Sequence, residues 1–578
     1  MSGSRDGVSL LELGFGGPDV RIRYLLAWSL MWLMTACGGG GASSTGSATG
    51  QAFWLPFAGI QQPLSGTTLR LDVGVIPSTL STTTLQPVAT IGEFKRTIGL
   101  VAKVVTRSAG PSTPFAVVYL AGGPDGNYHL YTLELSDTSV VPVPKQISSL
   151  SLPPAFASCL TWIYPLPPGG SNPSDPTSVA YVLTGANGVT PPNGAACSSA
   201  PLLLVHYTDS ATTAPVQLPA SVTTLPVAAL CSATGALSGL LSLDAAHNLT
   251  LYRTIDDWQA STNAVPLISG VTLGNGGVSV AFDRAGRPRP EGCTLFLPLQ
   301  DIATGNSLLY RIDAGGAASR VYETSGQLEV GPNALDDSNL YFMDVATAGS
   351  QSTFTLVKQP IDGSASTALY TWSPTPSTQW YTPIDTDGAN VLLYFVDNST
   401  APAGVSLLTV PTRSPSLPTL VAGSVASAFL DFQSDHVFVT QHMGSGSYST
   451  SVYTPSDPLR VQSQPNSAFV VRYDPWDSTQ RVIQLRNLPG DGTWGGASVY
   501  SLTTTTLAAA PMTQNGAAYV TPTGTIGLSL SPASATLAYG EIQTSSTSSG
   551  LAVDFAKNVV VTISVPGEPV IPFYEGIN

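Results

Sequence analysis

The chain has 578 residues, enough for several domains or one large repeat fold. Its 22 Lys and Arg against 36 Asp and Glu leave a formal net charge of −14, which excludes a nucleic-acid partner, because such partners need basic patches to displace counterions. Only 10% of residues are charged while 43% are hydrophobic, so Ser, Thr, Gly and Pro supply the polarity and a disordered chain is excluded too.

The first element is the apolar run at 24–34 within RIRYLLAWSLMWLMTACGGGG (21–41). At about eleven residues it is too short to span a bilayer, which takes about twenty. Arg21 and Arg23 precede it and the small residues Thr35 and Ala36 follow it, the layout of a secretory signal. The segment Leu33-Met34-Thr35-Ala36-Cys37 resembles the lipobox of bacterial lipoproteins, with Met34 where that family usually carries Leu, Val or Ile. The resemblance implies that residues 1–36 are removed and that Cys37 becomes a lipid-bearing N-terminus. Gly38 after the cysteine, where Asp is the usual inner-membrane retention signal, implies the outer membrane. Several acyl chains anchor stably at about 0.8 kcal/mol per buried CH₂. The alternative for Cys37 is a free thiol ending an uncleaved apolar helix. Residues 37–50, rich in Gly, Ser and Thr, read as a flexible tether. Residues 1–19, with Arg5, Asp6, Glu12 and Asp19, make an odd prelude to a signal and are expected to be an over-extended start.

From residue 51 to 480 the chain reads as a β body with almost no helical periodicity. One phrase returns along it: an apolar strand, a Gly/Asp/Asn turn and a second strand. FAVVYLAGGPDGNYHLYTLEL (115–135) is the clearest copy. Seven such second strands centre near Leu130, Leu204, Leu251, Leu309, Leu356, Leu407 and Val470, with further short strands such as ALYTWS (368–373) and TQWYTPI (378–384) between them. Four short strands per unit predict an all-β fold, a β-propeller of about seven or eight four-stranded blades. The alternative is a row of Ig-like β-sandwiches, whose opening LSLSPASATLAYGE (528–541) echoes once. Residues 481–578 are expected to hold closing strands or a small C-terminal β element. At LLYRIDAGG and VKQPIDG the text resembles the TolB-like and YVTN-type propellers of bacterial envelopes, over about residues 110–480; the resemblance implies a fold and says little of function.

Besides Cys37 there are Cys159, Cys197, Cys231 and Cys293, an even number that predicts two disulfides in an oxidising compartment. Three connectivities fit, and Cys159–Cys197 with Cys231–Cys293 closes the shorter loops. No C-x-x-C pair points to a metal. His129, His206, His247, His436 and His442 fall in or beside strands and read as structural. His436 and His442 would lie about 20 Å apart on an extended strand, too far for one metal. DTDGAN (385–390) begins like a calcium loop but lacks the closing Glu, and PIDGS and PGDGTW read as turns, the last with a packed tryptophan. Trp258 in DDWQ and Trp476 in DPWDS fall in turn-like contexts and are the candidates for exposed, ligand-stacking rings.

The sequence contains no G-x-S-x-G, H-E-x-x-H or P-loop, and it points to no catalytic residue, metal or cofactor. The sequence thus points to a lipid-anchored protein of the bacterial cell envelope that binds a protein or glycan partner without catalysis. The alternative is a secreted polysaccharide hydrolase or lyase with acids gathered at the propeller channel.

Overall fold

The computed structural model describes separate segments between residues 54 and 217, most of the chain from 226 to 563, and residues 570–572. Those residues form ten sheets that succeed one another along the chain, most of four strands and antiparallel but for one pairing, Thr513 with Val559 in the tenth. Most are built from four consecutive strands in a simple meander. The fifth takes both Val271–Leu273 and Ser279–Ala281 against Thr294–Asp301, and the tenth gains two short strands, Thr513–Gln514 and Ala517–Ala518. The lone helix of the described residues, α1 (Ile255–Ala260), lies between two strands of the fourth sheet.

Neighbouring sheets are joined by shared apolar cores. Leu241, Leu249 and Leu251 of the fourth sheet pack with Leu295, Leu297 and Leu299 of the fifth. Phe296 and Leu309 of the fifth join Leu340, Phe342 and Val357 of the sixth. The pattern continues through Leu392 and Val437, Phe438 and Val482, and Ile483 and Val553. Strand alternation explains it: successive side chains point to opposite faces, and here both faces meet another sheet. Hence the strand Thr294–Asp301 is buried at six consecutive residues. First strands of adjacent sheets touch, as Gln327–Leu335 touches Gln379–Thr386, while fourth strands such as Arg460–Pro465 are largely exposed. First strands therefore lie toward the axis and fourth strands at the rim.

The ring is closed by the chain's two ends. Val570–Pro572 pairs with Trp54–Gln61, placing Pro572 opposite Phe57 and Val570 opposite Gly59. The first sheet thus takes its inner strand from residues near the C-terminus. At the same junction the Phe57 ring meets Tyr539 of the tenth sheet edge to face, with centroids 5.7 Å apart. These are the features of a β-propeller, in which radial packing buries sheet faces and leaves only short edges. The segment 528–541 that echoes an Ig-like repeat is a hairpin of the tenth sheet, not the start of a sandwich.

Six of the seven strands singled out by the repeating phrase, at Leu130, Leu204, Leu251, Leu309, Leu356 and Leu407, occupy the third place in six successive sheets. The seventh, at Val470, is instead in Ser467–Arg472, the first strand of the ninth sheet. The third strand of the eighth is Tyr448–Tyr453. Its sequence YSTSVY lacks an apolar run, yet five of its six residues are buried, because Thr450 hydrogen-bonds Ser467 at 2.7 Å and receives Gln484 Nε2 at 2.7 Å. Ten sheets replace the expected seven or eight, since the phrase missed the units before residue 110 and after 465. Among the described residues no helix is long and apolar enough to cross a membrane.

Candidate functional site

The fourth strand of the sixth sheet, Thr367–Trp372, carries Tyr370 and Trp372 two residues apart and so on one face. In the seventh sheet, Tyr381 of Gln379–Thr386 stands directly across from Phe395 of Asn390–Asp397. Where the two sheets meet, these four side chains form a continuous row. Tyr370 meets Trp372 edge-on at 4.6 Å, Trp372 stacks on Tyr381 at 4.8 Å and 24°, and Tyr381 stacks on Phe395 at 5.0 Å and 27°. Phe354 lies beneath, 5.2 Å from Tyr381 and 5.3 Å from Trp380. Phe354 and Tyr381 are buried, while Tyr370, Trp372, Trp380 and Phe395 are half-buried and keep part of each ring in solvent.

A polar pair borders the row. Gln379 and Asp397 are the next same-face cross-strand pair beyond Tyr381 and Phe395, and Gln379 Nε2 donates to Asp397 Oδ2 at 3.2 Å. Burial among the rings, then the nearby Tyr370 and Asp397, raises Tyr381 above the usual tyrosine value, so its hydroxyl stays neutral. The end of a fourth strand, the start of a first, the end of a second and the start of a third all lie at one end of antiparallel sheets. The rings at Trp372, Trp380, Phe395 and Phe354 therefore share one face of the propeller. Chemically the seam is a stack of rings that cover one another's faces, bordered by a carboxylate and an amide bonded to each other.

On the opposite face the acids serve the turns between first and second strands. Asp336 Oδ1 accepts the backbone N–H groups of Ser338 and Asn339, and its Oδ2 accepts the Tyr341 hydroxyl at 2.7 Å. Asp387 repeats the arrangement with Ala389 and Asn390. Asp385 joins sheets, its Oδ2 accepting from Leu430 N at 3.0 Å. DTDGAN is therefore a hairpin whose carboxylates are occupied by N–H groups. Asp362 and Asp491 cap the turns of PIDGS and PGDGTW, and Trp494 packs on the core of the ninth and tenth sheets. Among the described residues no three His, Cys, Asp or Glu side chains gather as metal ligands.

Trp258 corrects an expectation. It is 1% exposed, on α1 rather than in a turn, with Ile255 beside it in the core. The signal was present: Thr254 caps the helix by accepting from Asp257 N and donating to Asp257 Oδ2. The period of three between Ile255 and Trp258 turns both inward, so this ring meets no ligand. Trp476, Cys37, Cys159, Cys197 and Cys293 lie outside the described residues, and Cys231 ends a strand whose side chain there is not described. His129 is buried, its Nδ1 3.3 Å from Gln146 Nε2, and His436 Nδ1 lies 3.0 Å from Thr504 O, both structural positions. His442 is exposed at the far end of the strand and packs on Tyr448. A groove of ≈ 270 Å³ lies between the first and tenth sheets, with Ser81, Thr83 and Asn515 on its wall and no charged group. The aromatic row was missed because its members come from two sheets that the sequence does not show to be adjacent.

No family model and no curated protein matches the chain. Among solved structures it is similar to prolyl oligopeptidase B from Galerina marginata, at 9% identity over 65% of this chain and 52% of that one, TM-score 0.32. It is similar to the β-propeller domain of the Trilobed protease from Pyrococcus furiosus, at 9% identity over 66% and 90%, TM-score 0.26. A third is the WD40 domain of SCAP from fission yeast, at 10% identity over 57% and 84%, TM-score 0.27. The chain spans about half the length of the prolyl peptidases it matches. Likeness at this level says nothing of activity, and the propeller assignment rests on the sheet order and closure described above.

Proposed function

We propose that this protein is a lipid-anchored β-propeller of the bacterial cell envelope that binds a partner without catalysing a reaction. The lipobox-like residues 33–37 and the tether 37–50 support anchoring at the outer membrane through Cys37. The observation that carries the binding reading is the division of labour between the two faces. One face bears an aromatic row in which Tyr370, Trp372, Trp380 and Phe395 are half-buried, an apolar surface with few polar groups. On the other face Asp336 and Asp387 accept backbone N–H groups and so serve as turn carboxylates.

Metabolic labelling with a palmitate analogue tests the anchor. The wild-type protein should take up label and partition with membranes, and Cys37→Ser should do neither. A wild-type protein that is unlabelled and already water-soluble overturns the anchored reading. Turnover of any bound ligand by the purified protein overturns the non-catalytic one.

A further inference from the structure

We propose that the propeller rests on a lipid surface by the face at which the chain enters it, with Val140, Val141 and Val143 set into the boundary between headgroups and acyl chains; the inference rests on the anchored reading above. The first described strand, Trp54–Gln61, runs antiparallel to Thr68–Pro77 with Trp54 opposite Pro77. It is the second strand of the first sheet counted from the axis, so the chain comes in on the face that carries the first-to-second turns of Asp336 and Asp387. The connection between Tyr128–Leu135 and Lys145–Gln146, the third and fourth strands of the second sheet, lies on that same face. Trp54 Nε1 ties the two together by donating to Val140 O at 3.0 Å. Val140, Val141 and Val143 are 69%, 40% and 73% exposed, while Pro142 between them is buried and holds the segment down. The three valines are thus turned outward by a fixed backbone beside the point of entry.

Large apolar side chains exposed one at a time are ordinary on a protein surface. Among the described residues no other stretch of four exposes three of them. Their place decides the partner. Sixteen residues, 38–53, separate Cys37 from Trp54, and none of them is charged. A Gly/Ser-rich chain of that length has a root-mean-square reach of roughly 20–25 Å. An acylated Cys37 therefore holds the Trp54 end of the body close to the bilayer, and the valines beside Trp54 are the apolar groups that meet it. Residues 138–144, TSVVPVP, carry no charge either. A body of net charge −14 gains nothing from anionic headgroups, so an uncharged apolar contact is the one it can make with a lipid surface. The opposite face, with Ile302 and Met443 in its second-to-third turns, then looks away from the bilayer and is left for the partner.

The test is photo-crosslinking of the lipidated protein in its membrane. The probe is p-benzoylphenylalanine, introduced as Val143→p-benzoylphenylalanine, with Val140→p-benzoylphenylalanine as a second position. Ile302→p-benzoylphenylalanine is the control, because Ile302 is 49% exposed on the opposite face. All three sites are exposed, so each variant should keep the wild-type circular dichroism spectrum. Phospholipid adducts, measured by mass spectrometry, should be about tenfold or more as abundant from the probes at Val143 and Val140 as from the probe at Ile302. Palmitate-analogue labelling of the same samples separates the two readings. Labelled protein in which the probes at Val143 and Val140 give no more lipid adduct than the control overturns this inference and leaves the anchor standing. Protein that takes up no label and stays water-soluble overturns both. Adducts of the Val143 and Val140 probes with a protein in place of lipid overturn the lipid surface as the occupant of this face.

Discussion

Ring closure can be tested through a single pair of rings. Phe57 and Tyr539 come from the first and tenth sheets, each with no exposed surface, and meet edge to face at 5.7 Å and 72°. Replacing a buried Phe by Ala removes its transfer energy and leaves a cavity, which costs about 3–5 kcal/mol. Unfolding roughly 500 residues carries an entropy of about 1 kcal/mol/K, so each single variant should melt about 3–5 °C lower. The informative quantity is the coupling. An edge-to-face aromatic pair contributes about 0.5–1.5 kcal/mol beyond area burial, and a double-mutant cycle of Phe57→Ala and Tyr539→Ala in urea denaturation should recover that value. The control cycle pairs Phe57→Ala with Phe354→Ala, equally buried but in the sixth sheet, and should be additive. Additivity of Phe57 with Tyr539 to within about 0.5 kcal/mol would refute contact between the first and last sheets, and with it the closed ring.

Three further outcomes follow from particular groups. Burial, then the carboxylates of Asp344 and Asp336, holds the Tyr322 and Tyr341 phenols well above the ordinary value near 10. The unfolded chain releases those protons first, so it binds fewer than the native state above pH 10, and stability should fall as pH rises further. An absorbance titration at 295 nm should show tyrosines resisting ionisation until the protein unfolds; a single midpoint near 10 would contradict this. Asp387→Ala removes the acceptor for Ala389 N, Asn390 N and Asn390 Nδ2, and should cost about 1–3 kcal/mol. Because those oxygens are already occupied, calcium or a chelator should leave the wild-type melting temperature unchanged, and a calcium-dependent rise lost in Asp387→Ala would reverse the reading. Gly540→Ala would put a Cβ 2.0 Å from the backbone oxygen of Ser529, inside a ladder that cannot shift. It should lower stability by about 3 kcal/mol or more, or abolish soluble expression; a wild-type melting temperature would show the hairpin register to be wrong.

The aromatic row shows where sequence reading stops. ALYTWS and TQWYTPI were both recognisable as strands, and the spacing of Tyr370 and Trp372 by two already placed them on one face. What the alternation cannot say is which sheet that face meets. Trp258 shows a different limit: a six-residue helix carries too little periodicity to stand out, although its Thr254–Asp257 capping pair was written in the chain. The eighth sheet shows a third. Its third strand is held by buried hydroxyl and amide bonds between Thr450, Ser467 and Gln484, so no apolar run announced it.

By itself, then, the sequence determined the class of the fold and the phase of six blades. Strand alternation and turn chemistry act between residues a few positions apart and leave their period in the text. It also carries the basic, apolar and small-residue order that ends at Cys37, on which the proposed anchor rests. Only the tertiary structure decided the number of sheets, the union of Phe57 with Tyr539 and of strand 570–572 with the first sheet, and the meeting of Trp372 with Tyr381. Each of these depends on how two separately formed sheets pack, and packing is set by the matched shapes of two surfaces that no single strand encodes.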